Sequence, residues 1–591
     1  MMGMLQEPPV PEKRARLRLL RGVIIAAAVG VLILAPLGSP MVSAFLWPMG
    51  FVAGSSQDPT PTLPPTKPPA PTATATMEPA SGTSTPDGLV ILSVSEFGYA
   101  HLFSYDPSSA PVTRLTTGDW DDIHPSISPD GSKVAFASNR GGQWDLYVLD
   151  LQTGATLQVS NDVAYDASPS WSSDSGWLAY EHYEGSNLEI YIRPIDGSVD
   201  PVAVSAHPGL DYAPAWRPGT QQIAFVSDRG GSQQLWLVDL ARSDSGRFSQ
   251  ILSQNVAQRS PAWSPSGDHL AWSQLDGEFW NLYAADLERG GSLQLIGVGQ
   301  EPRWNPAGDT LLASFRNSQH TYLAAYTLEG ALVIPPEKLT RYEGAAWGSA
   351  ALADPLPGQL LTASQESDPP EWAASFTESV PRAAELDTIA LADVNVPFAQ
   401  LNEAVVEPFS ALRQRSAQLL GWDALSTLEN AYVPVGEPLP PLRQQDWLYT
   451  GRAFALHSNL LDAGWLVAVR ETFDGQTYWR VFLRTADGSG YGRPLTRFPW
   501  NFAARYSGGE IAFQNGGESA EEIPPGNWID FTALAADYGF ERVPALPNWR
   551  NFFPSIMFNV FALRAGLTWE DAMLQLHSPI EVATAAATSS E

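Results

Sequence analysis

Four side chains mark where this chain could bind something. His124, Asp166, Asp211 and Glu301 each lie near the start of a short stretch that recurs along the sequence, so they would meet if the recurrences stack. Three carboxylates and an imidazole from separate repeats make a polar ring suited to a cation or a basic peptide. The competing reading is that each one caps a turn or hydrogen-bonds the next repeat, the commoner fate of short acidic side chains beside Pro and Gly. Asn139-Arg140 and Asp228-Arg229 read as turn residues making local ion pairs. Catalysis has little to stand on. The chain has no cysteine, which excludes disulfides, cysteine-based zinc sites, thiol catalysis and a lipid anchor on cysteine. No Gly-x-Ser-x-Gly pentapeptide exposes a serine on a strained turn, and Gly488-Ser489-Gly490 reads as a hairpin tip. No catalytic residue, metal ligand or cofactor is assigned.

The recurrence predicts what positions these groups. It runs His124-Pro125-Ser126-Ile127-Ser128-Pro129-Asp130-Gly131, then Asp166-Ala167-Ser168-Pro169-Ser170-Trp171, then Asp211-Tyr212-Ala213-Pro214-Ala215-Trp216. It returns as Arg259-Ser260-Pro261-Ala262-Trp263 and Glu301-Pro302-Arg303-Trp304, and a last step reaches Trp347. From Ile127 through Trp171, Trp216, Trp263, Trp304 and Trp347 the steps are 44, 45, 47, 41 and 43 residues. A period in the low forties with four short strands per unit predicts a β-propeller. Pro-x-Trp supplies an inner strand whose ring packs between neighbouring sheets, and Ser-Pro-Asp-Gly a tight turn in which Pro presets φ and Gly takes positive φ. Apolar strands such as Val134-Ala135-Phe136 and Leu178-Ala179-Tyr180 follow, then third strands such as Asp145–Asp150 and Gln234–Asp239. The opening stretch from Gly88 to Thr116 lacks the Pro-x-Trp strand, and the closing stretch from Gly344 to Leu352 supplies only that strand. Joined, they complete one blade and remove two free edges. The expectation is an all-β six-bladed propeller over residues 87–352.

These phrases resemble the repeats of the TolB family, whose pattern is Asp-x-x-Pro-x-Trp-Ser-Pro-Asp-Gly followed by an apolar strand. The resemblance covers residues 87–352. It implies a propeller that serves as a protein-docking surface, without naming a partner. A propeller beside a second domain is also similar to the prolyl oligopeptidases, but the missing serine elbow rejects that reading.

With 591 residues the chain has room for more than one core. Lys and Arg number 34 against 64 Asp and Glu, a net charge of −30, so no nucleic-acid partner is expected, since nothing neutralises phosphates. Residues 1–21 carry Lys13, Arg14, Arg16, Arg18 and Arg21 ahead of an apolar run, which predicts an N-terminus held inside and a transmembrane helix over 22–47. Val42-Ser43-Ala44 leaves a cleaved signal peptide open as the alternative, and either reading exports the rest. Residues 55–86, rich in Pro and Thr, predict a stiff spacer. A second linker is expected over 353–389, a smaller α+β domain over 390–580 and a disordered tail over 581–591. In the α+β domain, Asn402–Leu420 has helical spacing with apolar Val405, Phe409, Leu412, Leu419 and Leu420. Strands around Asp474-Gly475 and a short helix from Phe531 to Tyr538 follow.

Tyr449-Thr450-Gly451-Arg452-Ala453-Phe454 and Gly566-Leu567-Thr568-Trp569-Glu570-Asp571 resemble parts of zinc D-Ala-D-Ala carboxypeptidases of the VanY type. That resemblance implies ligand positions at Leu448, Ala455, Met557 and Val560, all apolar here, and after residue 390 only His457 and His577 remain as histidines. It implies a catalytically dead relative that could still hold wall peptides; an unrelated α+β domain is the alternative. The expected protein is membrane-anchored and extracytoplasmic, binding an envelope protein or peptide through its propeller, with cell-wall material as a further partner. The alternative is a cell-wall peptidase or other hydrolase with an atypical site.

Overall fold

The computed structural model describes residues 87–366 and 385–587, apart from residues 97, 108–111, 253, 255, 319, 340, 440–444 and 487. The segments expected at 1–21, 22–47 and 55–86 lie outside the described residues, as does much of the linker expected at 353–389. Among the described residues no helix is long and apolar enough to cross a membrane.

Six four-stranded antiparallel sheets follow one another between Leu89 and Gly348. The second is typical: Asp122–Ile127, Lys133–Ser138, Asp145–Asp150 and Thr156–Gln158. The turn behind its first strand forms as its residue types demand. Ser128 donates to Asp130 at 2.6 Å, Asp130 accepts the Ser132 N–H at 3.0 Å, and Gly131 takes φ of 71°. The first sheet draws on both ends of the region. Tyr342–Gly348 pairs with Leu89–Glu96, with Leu89 opposite Gly348 and Val90 opposite Trp347. The innermost strands then touch in sequence, the last returning to the second sheet's Asp122–Ile127, so the sheets stand in a ring.

The repeat tryptophans hold the sheets to one another. Trp171 packs among Ala135, Leu146 and Val148 of the second sheet and Leu178 and Tyr180 of the third. Its Nε1 donates to the Ser126 carbonyl at 2.9 Å, and Trp304 does the same to the Ala262 carbonyl at 2.9 Å. Trp347 lies with Leu312 and Leu323 on one side and Val90 and Leu92 on the other, which makes it the seam between last and first sheets. Such a ring joins a large apolar area to one N–H donor, and Trp171 and Trp304 satisfy that donor across the seam.

The described residues all lie within one compact unit, so the C-terminal region packs on the sheets. The helix Glu403–Leu420 begins where Asn402 accepts the Ala404 N–H and ends at Gly421 with φ of 75°. It buries the stripe expected from its spacing: Val405, Phe409, Leu412, Leu419 and Leu420. Leu466–Phe473 and Gln476–Arg484 form a hairpin about Asp474-Gly475, both with positive φ as a two-residue turn requires. Asn527–Asp530 and Arg493–Pro494 extend that sheet, and Phe531–Asp537 is a helix capped by Asp530. A second sheet joins Leu428–Asn430, Ala453–Leu456, Val560–Ala562 and Glu541–Arg542. Of the tail expected to lack order over 581–591, residues 581–587 lie in a helix, Pro579–Ala587, and the rest lies outside the described residues.

Truncating a tryptophan that joins two sheets opens a cavity that neither side can fill. Trp171→Ala is expected to cost about 3–5 kcal/mol, read as a shift of the denaturant midpoint; a change within the error of the measurement would remove the ring from its role as the inter-sheet wedge.

Candidate functional site

Each inner strand kinks at one place. His124, Ser168, Ala213, Ser260 and Glu301 have φ of 53°, 52°, 52°, 53° and 57°, and Gly344 has 121°. Every one lies three residues before Ile127 or its tryptophan counterpart. Non-glycine residues seldom adopt positive φ. Here the ladder to the second strand skips between Ile123 and Ser126, Ala167 and Ser170, Tyr212 and Ala215, Arg259 and Ala262, and Gln300 and Arg303. In those five strands a proline follows the kinked residue directly, where the interrupted ladder needs no N–H.

The kinked residues line the mouth of the central channel, and the residue before each tryptophan lines it deeper in. In five sheets that deeper position is small: Ser126, Ser170, Ala215, Ala262 and Ala346. In the sixth it is Arg303, whose guanidinium donates to the Ala345 and Pro302 carbonyls at 2.7 and 2.9 Å. Arg316 also reaches the channel, with one guanidinium nitrogen buried and without a partner. Burial, with Arg480 and Arg497 nearby, lowers its pKa to about 10. Arg259 donates to Gln233 and lies over the Trp280 ring at 4.9 Å. Among the described residues none of these three arginines forms an ion pair. Glu181 is buried and accepts the Ala213 N–H at 2.8 Å.

The C-terminal region roofs this mouth and leaves a chamber of about 1310 Å³. Trp144 Nε1 donates to the Tyr491 carbonyl at 2.8 Å, Gln233 Nε2 to the Thr496 carbonyl at 2.6 Å, and the Gly526 N–H to the Tyr183 hydroxyl at 2.7 Å. Charge completes the join. Arg341 meets Asp121 at 2.8 Å, Glu343 at 3.1 Å and Asp537 at 2.7 Å, while Arg493 meets Glu343 at 2.7 Å. Burial raises Asp537 to about 6, because one guanidinium shared by three carboxylates cannot fully offset it. Within the roof, Glu471 gathers Arg542, Arg497 and Arg480 at 2.6, 2.8 and 3.8 Å, which holds its carboxyl far below the usual range against the effect of burial.

The four residues read as one ring occupy two positions. His124 and Glu301 line the chamber. Burial lowers the His124 imidazole to about 4, helped by Arg493, so it is neutral near pH 7, and its Nδ1 lies 3.1 Å from the Ser168 hydroxyl. Asp166 and Asp211 stand two residues earlier in their strands and do not line it. Asp211 meets Arg229 at 2.5 Å and Asp166 meets His182 at 2.7 Å, like Asp122 with Arg140 at 2.7 Å. The true counterparts of His124 and Glu301 are Ser168, Ala213, Ser260 and Gly344. Sequence reasoning missed Arg259, Arg303 and Arg316. Arg303 carried a signal, a lone arginine at a repeat position otherwise held by Ser or Ala. The mouth on which a partner was expected to dock is also covered by the chain's own C-terminal region.

Leu448, Ala455, Met557 and Val560 are buried together in one apolar cluster with Val433, Ala453 and Val543. These positions converge, but their side chains offer no nitrogen or oxygen donor, so zinc does not fit there.

Residues 157–334 match the family model of the TolB beta propeller domain. A TolB homolog of Chlorobaculum tepidum is 30% identical over 108 residues, covering 18% of this chain and 24% of that protein. The Tol-Pal system protein TolB of Bordetella pertussis is 31% identical over 123 residues, 21% of this chain and 28% of that one. The chain thus spans about a quarter of the length of these TolB relatives. An uncharacterized protein of Agrobacterium fabrum is 25% identical over 198 residues, 32% of this chain and 67% of its own. The crystal structure of TolB from Acinetobacter baumannii aligns with a TM-score of 0.40 at 19% identity, covering 44% of this chain and 66% of that one.

The join between roof and mouth has a pH signature. Burial alone would raise Glu343, but Arg493 and Arg341 outweigh it and hold its carboxyl at about 2, down from 4.5. The stability so gained is complete above pH 4.5 and is lost as pH falls toward 2. Glu343→Gln is expected to flatten that part of the profile, followed by hydrogen exchange of residues 490–497; an unchanged profile would place the acid sensitivity in other groups.

Proposed function

We propose, for a chain built around a TolB-like β-propeller, that it is a non-catalytic binding protein of the cell envelope, holding an extended, acidic segment of another envelope protein in the chamber at its propeller mouth. The chamber carries this reading. At about 1310 Å³ it exceeds the volume that suits a drug-sized molecule, roughly 300–1,000 Å³. Its wall bears nine Arg and Lys side chains against seven Asp and Glu, and Arg259, Arg303 and Arg316 form no ion pair among the described residues, inside a chain of net charge −30. Tyr165, Tyr212 and Trp528 add aromatic faces for side chains to pack on. That distribution selects for a carboxylate-bearing occupant and against a basic one.

The rest of the chain takes its place around that site. The six sheets are read as the blades of a closed six-bladed propeller over 87–352. Residues 22–47 anchor it with the N-terminus inside, and 55–86 hold it away from the membrane. The domain at 390–580 is read as a peptidase-like fold without its metal ligands, supported by the convergence of Leu448, Ala455, Met557 and Val560, and it serves as the roof of the chamber.

The test uses the full-length chain in cells, with a photo-crosslinking amino acid in place of Phe482, which lines the chamber, or of Ile511, exposed on the roof. One adduct with an envelope protein is expected at Phe482 and not at Ile511, and it should fade when Arg303→Ala and Arg316→Ala are combined. Equal adducts at both sites, or one indifferent to the arginines, would overturn the reading.

A further inference from the structure

The third sheet breaks a pattern that the second and fourth keep. In the second, Arg140 donates to Ser138 at 2.9 Å and to Asp122 at 2.7 Å. In the fourth, Arg229 donates to Ser227 at 2.8 Å and to Asp211 at 2.5 Å. Each aspartate opens its inner strand, is fully buried and faces one guanidinium. Asp166 holds the same place in the third sheet and is equally buried. There His182 replaces the serine and Glu184 replaces the arginine, so the neutralising cation has become an anion.

The surroundings add to that charge. His182 Nδ1 lies 2.7 Å from Asp166 Oδ1, and Glu184 approaches Nε2 at 3.9 Å with its side chain 75% exposed. Donor atoms of Asp162, Asp166 and His182 all lie within 4.8 Å of one another, and Asp162 is open to solvent. Asp145, held by Gln158 and Ser160, couples electrostatically to both aspartates. The far oxygen of Asp166 is buried without a hydrogen-bond partner, as in the sister sheets, where a guanidinium compensates. Among the described residues only an imidazole stands against the carboxylates here.

We propose that a divalent transition-metal ion, Zn²⁺ or Mn²⁺, takes the guanidinium's place, bound by His182, Asp166 and Asp162. One imidazole with two carboxylates suits these ions, at bonds of roughly 2.0–2.2 Å for zinc. Calcium wants about 6–8 oxygens, more than this place supplies. The His182 ring is oriented by Tyr191, their centroids 4.2 Å apart. Asp166 is fixed in the strand, and the exposed Asp162 leaves a path for the ion to enter. The ion would tie the segment that connects the second and third sheets to the third, away from the chamber lining, so the inference does not depend on what the chamber holds.

Isothermal titration of the metal-stripped full chain with ZnCl₂, MnCl₂ and CaCl₂ tests it. One equivalent of Zn²⁺ or Mn²⁺ is expected to bind more tightly than Ca²⁺ and to raise the melting temperature. Asp162→Asn, at an exposed position where folding is not at stake, should weaken binding at least tenfold, and so should His182→Gln. Glu184→Arg rebuilds the arrangement of the sister sheets and should abolish binding while the melting temperature holds or rises. No binding by the wild type, or binding that Asp162→Asn and Glu184→Arg leave unchanged, overturns the proposal.

Discussion

The antiparallel pairing of Tyr342–Gly348 with Leu89–Glu96 is the constraint on which the other features rest. It joins chain segments some 250 residues apart and converts a curved row of sheets into a ring. Without it the first sheet would expose Leu89–Glu96 as a free edge and the last sheet would lose the Trp347 ring packed on its face. The same strand begins just after Arg341 and contains Glu343, the two groups that fasten the C-terminal region over the channel. Closing the ring and roofing its mouth are therefore one structural event. Arg341 becomes useful only when the closing strand brings it beside Asp121, at the entry to the second sheet.

Much of the fold was legible because it repeats. The Trp171, Trp216, Trp263, Trp304 and Trp347 register, the turns behind them and the split first sheet all follow from local sequence, and the geometry carries them out. The site was less legible for two reasons. His124 and Asp166 look alike as polar residues ahead of Pro-x-Trp, yet the kink between positions two residues apart sends one into the channel and the other into an ion pair within its sheet. The second reason is distance along the chain. That Arg493 meets Glu343, or Arg341 meets Asp537, depends on how two folded regions dock, and no periodicity encodes it.

The C-terminal region puts core where a metal site would need polar donors. Leu448, Ala455, Met557 and Val560 come together as an apolar cluster continuous with a sheet. A metal site needs donors that are dehydrated and held in place, and apolar groups at such positions stabilise by burial instead. The charge of this region lies elsewhere, in the arginines that Glu471 and Asp530 orient along the roof.

The place of Leu89–Glu96 within its sheet has a mechanical meaning. It is not an edge strand: Tyr342–Gly348 lies on one side and Tyr99–Tyr105 on the other, with both ladders running nearly its full length. A pull arriving through the chain ahead of residue 87 runs along this strand and loads both rows of hydrogen bonds in shear. They must slip together instead of opening one at a time from an end. The first element of the ring is thus also a clamp against tension, and the chain reaches its load-resisting geometry within a few residues of where force would enter.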